Sequence, residues 1–107
     1  MSKDDTIVTQ SYELIRKDLG LEEEWGFEDS NNTFDRLEEF LTHQIKYLLD
    51  HDFGRLLNAL YRVDISEGTL KQILAHNDHV ARDLARAVIA REKQKVLTRL
   101  KHRTSGS

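Results

Sequence analysis

A chain of 107 residues without a single proline has nothing in it that must break a helix from within. Average usage of ~5% would place about five prolines in that length. The apolar residues take up the freedom at helical spacing. Ile7, Val8, Tyr12, Ile15 and Leu19 make one stripe over Thr6 to Leu19, and Gly20 stands where a C′ glycine ends a helix. Phe34, Leu37, Leu41, Ile45, Leu48 and Leu49 make a second, widened by Phe40 and Tyr47, with Asn32 as N-cap. After the break at Asp50-His51-Asp52, Asp52 caps a short helix carrying Phe53, Leu56, Leu57, Leu60, Tyr61 and Val63. Asp64 with Glu67, or Ser66 alone, opens the next, which holds Leu70, Ile73 and Leu74. Asp78 caps a last helix from about His79 to Lys101. These stripes predict an all-α fold, a four- to five-helix bundle with a long C-terminal helix. One domain, 6–103, is expected between a disordered N-terminus, 1–5, and a disordered tail, 104–107.

Composition narrows the chemistry. Cysteine is absent, which removes disulfides, thiolate nucleophiles and cysteine metal sites together. No apolar run approaches the ~20 residues of a membrane span, and no apolar signal segment follows Met1. A cytoplasmic protein with no membrane partner is therefore expected. The charged fraction is 33%, above the usual ~25%. Such a composition suits slender helices with wide solvated faces, or a protomer that completes its core in an oligomer.

The charges are unevenly laid out. Residues 1–50 carry 13 acidic against 5 basic side chains, whereas 82–103 carry 8 basic against 2 acidic. Arg91, Lys95, Arg99 and Arg103 recur every four residues on the last helix, a basic face that could track phosphates. Cations also sit favourably near a helix C-terminus without any ligand. Between residues 20 and 32, an acidic connection holds the only tryptophan, Trp25, with Phe27 beside it. Beyond the polar stretch 90–95, the apolar residues Val96, Leu97 and Leu100 resume. The ~35 Å length expected of this helix exceeds the ~26 Å expected across such a domain. Its end should project, or be covered by the first helix or by a second protomer.

Three resemblances attach to the middle of the chain. Residues 56–70, with Ile65-Ser66 and Thr69-Leu70, look like a DNA-binding helix-turn-helix. They depart from it at Asp64, where glycine is usual, and at Leu60, in a small-residue slot. Two packed core helices joined by a capped turn account for the same pattern. Leu60-Tyr61-Arg62 spells the LYR tripeptide of a family of small helical accessory proteins, where it opens a first helix. Here it ends an internal one, and we assign Leu60 to the core, Tyr61 to its rim and Arg62 to the helix C-terminal dipole. The stretch from Leu60 to Glu67, followed by residues 87–95, is similar to small uncharacterised bacterial all-helical proteins. That similarity implies no activity and no catalytic residues.

Candidate chemistry rests on histidine. His76 and His79 flank a helix junction, but a two-imidazole pair falls short of the four ligands of structural zinc. Glu39 and His43, at i and i+4, suit a surface hydrogen bond better than a catalytic dyad. No phosphate loop, serine elbow or di-iron pair of motifs is present. The expectation is a non-enzyme with no metal, no cofactor, no catalytic residue and no small-molecule ligand. It is read as a helical protein-interaction or adaptor module that self-associates, as a homodimer. Trp25, Phe27, Val96, Leu97 and Leu100 are its partner-binding candidates. The alternative is nucleic-acid binding through Arg91, Lys95, Arg99 and Arg103.

Overall fold

The computed structural model describes residues 3–21, 33–76 and 78–105, with side chains placed for 6–21, 33–76 and 78–102. Among them run five helices and no strand: α1 (Lys3–Leu19), α2 (Phe34–His51), α3 (Phe53–Val63), α4 (Glu67–His76) and α5 (Val80–Ser105). The expected all-α architecture with a long C-terminal helix is present. No described helix is long and apolar enough to cross a membrane.

Most of the helix ends have a local cause. Thr33, one residue after the expected Asn32, caps α2, its hydroxyl accepting from the Arg36 N–H at 3.2 Å. Asn32, Trp25 and Phe27 lie outside the described residues. Asp52 caps α3 as expected, accepting from Arg55 N–H at 3.1 Å. Ser66 caps α4 by accepting from Thr69 N–H at 3.2 Å. Asp64 instead closes α3, at φ 74° and ψ 49°. The His79 carbonyl accepts the first helical bond of α5, from Asp83 N–H at 2.9 Å. The cap of α5 is thus one residue beyond the expected Asp78. Helix α1 starts at Lys3 and α5 continues to Ser105, both past the ends of the apolar stripes that located them.

The stripes pack as one core. Val8, Tyr12, Ile15 and Leu19 of α1 meet Leu37, Leu41, Ile45 and Leu48 of α2, with Leu56, Ala59, Leu60 and Val63 of α3 and Leu84, Ala85, Val88 and Ile89 of α5. Each large side chain so buried stabilises the fold by about 1.5–3 kcal/mol before entropy is counted. Helices α2 and α5 run antiparallel: Phe34 lies under the Lys93 ammonium at 4.6 Å, and farther along α2 the Glu38 carboxylate meets Arg86 at 2.8 Å. At ~1.5 Å per residue, α5 is about 39 Å long, nearly the 42 Å long axis of the molecule. It touches all four other helices, and α4 packs against it alone.

The α3–α4 segment corrects the sequence picture in two ways. Asp64 takes the left-handed backbone that glycine would supply, so the absent glycine does not spoil the turn. Yet α4 makes no close backbone approach to α3. It rests on α5 through Leu70 and Ile73, which pack against the core only in part. Neither a helix-turn-helix nor a directly packed helix pair is formed.

Candidate functional site

The most developed polar arrangement lies where the C-terminus of α1 meets α3 and α5. A helix end leaves carbonyls without partners, and here two devices that satisfy them are visible. Gly20 adopts φ 62°, and Leu21 N–H donates to the Arg16 carbonyl at 3.1 Å, the 6→1 bond of a Schellman motif. Two arginines one heptad apart on α3 donate to two further carbonyls of this turn. Arg55 reaches the Gly20 carbonyl at 2.6 Å and Arg62 the Asp18 carbonyl at 3.1 Å. Both place a cation at the negative end of the α1 dipole. Arg62 therefore serves the terminus of α1, not that of its own helix as the sequence suggested.

A Cβ added to Gly20 would lie 3.3 Å from the Arg55 guanidinium in a left-handed backbone. Gly20→Ala is expected to destabilise the protein by about 1–2 kcal/mol. Urea unfolding with wild-type cooperativity and midpoint would contradict this.

Directly beside that terminus sits a buried ion cluster. Glu92 of α5 is fully buried. Its Oε1 accepts from the Lys95 ammonium at 2.6 Å, and the same ammonium lies 3.6 Å from the Asp18 carboxylate. Burial pushes the Glu92 carboxyl above its ordinary 4.5; the Lys95 hydrogen bond opposes that, and the Asp18 charge adds to it. Glu92 Oε2 has no hydrogen-bond partner, nor does the buried Ser11 Oγ. The sequence placed Glu92 in a polar gap. The missed signal was the i, i+4 series Leu84, Val88, Glu92, Val96, in which the glutamate occupies a core position.

The expected partner-binding residues separate. Val96 is 0% exposed, so it does not project and offers nothing to a second molecule. Leu97 is 43% exposed and Leu100 half-buried. The expected basic ribbon is divided as well. Arg91 pairs with Asp64 at 3.0 Å and also reaches Gln94 at 3.3 Å. Lys95 is held by Glu92 and Asp18. Arg99 is exposed, and the side chain of Arg103 lies outside the described ones. Arg86 and Arg82 both face Glu38, at 2.8 and 3.9 Å. The Glu38 hydrogen bond, then its charge, raises the Arg86 pKa further. Part of the charge polarity of the sequence is thus spent inside the chain, through Asp18 and Glu38, and Asp64 engages Arg91 besides.

The remaining candidates stand in the open. Glu39 and His43 line a groove of about 580 Å³ along the outer face of α2, with Arg36, Phe40, Thr42, Lys46 and Arg82. Arg82 is its only lining residue from another described helix. His76 Nδ1 bonds the Gln72 carbonyl at 2.7 Å, and His51 lies tilted against Tyr47 with ring centroids 4.5 Å apart. Among the described residues, no three histidine or carboxylate side chains come together to hold a metal.

Helix α3 presents the other unusual surface. Its buried side is Leu56, Ala59, Leu60 and Val63. Phe53, Leu57 and Tyr61, spaced by four, sweep from the core rim to the outer face. Tyr61 is 77% exposed and Phe53 44%. Tyr61 thus lies well outside the rim position expected for it. Gly54 and Asn58 complete an outer face without charge, and the only charged side chains within the helix, Arg55 and Arg62, are engaged with α1.

No family model, no curated protein and no solved structure matches this chain.

Proposed function

We propose that this protein is a non-enzymatic helical interaction module that pairs with a second copy of itself through the outer face of α3. The observation that carries the reading is the uncharged Phe53-Gly54-Leu57-Asn58-Tyr61 face in a chain that is 33% charged. Exposed rings at 77% and 44% are the kind of anchors that dominate interface energies. An isologous contact sets the same patch against itself. A charged patch would then meet like charge, whereas this one meets none. Gly54, with only Asp52 Oδ1 near its missing Cβ at 3.9 Å, allows a close helix approach. A non-enzymatic role fits the closure of the acid–base pair: Glu92 is fully buried, and no substrate could reach it without opening the fold.

Sedimentation over micromolar to hundred-micromolar concentration tests this. The wild type is expected to approach the mass of two protomers. Phe53→Ser/Tyr61→Asp is expected to weaken pairing at least ~30-fold, the effect of losing one hot spot. Both residues lie off the core, so helix content by circular dichroism should hold. A wild type that stays monomeric throughout would refute the proposal.

A further inference from the structure

The seam between α1 and α5 carries a charge imbalance that a proton would remove. Asp18 and Glu92 contribute two carboxylates and Lys95 one ammonium, so the cluster holds one negative charge in excess when all three are ionised. Glu92 is 0% exposed, and the Asp18 and Lys95 side chains are only 18% and 26% exposed. Excess charge in such a place is costly. From α3, Arg62 approaches the same turn but donates to the Asp18 carbonyl, leaving the carboxylates to Lys95. Glu92 Oε2 is a buried acceptor with nothing to accept, and the Asp18 carboxylate faces Glu92 across the Lys95 ammonium they share. Ser11, the second buried group without a partner, shares a face of α1 with Asp18, one heptad earlier. Both unpartnered buried polar atoms of the described residues therefore fall on faces that bear on this seam.

We infer that α1 is a proton-dependent latch: one proton on the buried Glu92 carboxyl, which faces Asp18 across Lys95, holds α1 against α5, and α1 loosens as that proton is lost. The sign follows from linkage. The folded junction binds a proton more tightly than separated carboxylates do. The latch is therefore strongest below the ordinary carboxylate value and weakens as pH rises to the value of the folded junction, beyond which it changes no more.

Native-state hydrogen exchange, with intrinsic rates divided out, reads the opening of α1 against that of α2. In the wild type the opening constant of α1 amides is expected to rise with pH above the ordinary carboxylate range, by up to about tenfold per pH unit. It should level off at the pH where the Glu92 ¹³C-carboxyl resonance titrates, while α2 stays protected. Glu92→Gln supplies a permanent N–H donor and should hold α1 closed with no such rise. Asp18→Asn removes the excess charge from the other side and should flatten the same slope, which keeps the test usable if the first variant folds poorly. Pairing through α3 is untouched by either change. A wild-type α1 whose opening ignores pH, or opens only together with α2, overturns the inference. So does a wild-type slope in Glu92→Gln or in Asp18→Asn.

Discussion

Val96→Asp is expected to unfold the protein rather than merely alter its assembly. Val96 is 0% exposed, in the i, i+4 series with Leu84, Val88 and Glu92. An aspartate there loses the buried methyls and brings a carboxylate into a site one turn from another buried carboxylate. The apolar loss alone is about 1.5–3 kcal/mol, and the uncompensated charge adds several more. Together they approach the ~5–15 kcal/mol that holds a domain of this kind folded. Circular dichroism should report loss of most helix and of the cooperative melt. Leu97→Asp, at a side chain 43% exposed, serves as the control and should cost no more than about 1 kcal/mol. A Val96→Asp protein melting at the wild-type temperature would show that the site is open to solvent after all.

Lys95→Met is the second large effect. It leaves Glu92 buried without its 2.6 Å ammonium and removes the counter-charge that Glu92 and Asp18 share. Breaking one partner out of a buried pair costs about 3–5 kcal/mol. Uptake of a proton by Glu92 limits the loss here, so about 3 kcal/mol is expected in denaturant unfolding at neutral pH. Glu92 is already displaced upward from 4.5 by burial, and losing Lys95 moves it higher still. A raised folded pKa gives stability that is complete below the unfolded value and declines as pH rises through the folded one. The variant should therefore recover most of the deficit on acidification. Lys95→Met/Glu92→Gln should lie within about 1 kcal/mol of wild type at neutral pH, because a neutral pair of similar volume carries no desolvated charge. A deficit that is the same at every pH, or that the second substitution fails to relieve, would mean that Lys95 acts by packing.

How much of this was legible beforehand differs from residue to residue. Gly20 and Asp52 were readable because caps and C′ glycines are local devices, settled by the backbone a few residues away. The Asp78 and Asn32 caps were each one residue off, since neighbouring polar residues compete for the same orphan N–H groups. The candidate site was far less legible. Arg55 and Arg62 carry no sequence mark distinguishing a cation in water from one on the carbonyls of a helix 35 and 44 residues earlier. Tyr61 and Leu60 are adjacent and both apolar in type, yet one is 77% exposed and the other 3%.

The all-helical class, the long C-terminal helix and most of the core follow from the order of residues along the chain. Helix formation and amphipathic stripes follow from spacing along one chain, and the absence of proline leaves that spacing unbroken. Which charges are spent and which surfaces remain depends on how the helices come together in space. Pairing of Asp18 with Lys95, Glu38 with Arg86 and Asp64 with Arg91 joins residues 77, 48 and 27 positions apart. Coulomb attraction and desolvation depend on distance in space and on burial, and neither can be read from order along the chain. The basic helix therefore looked like a surface for phosphate, while in the folded molecule several of its cations bind its own neighbours.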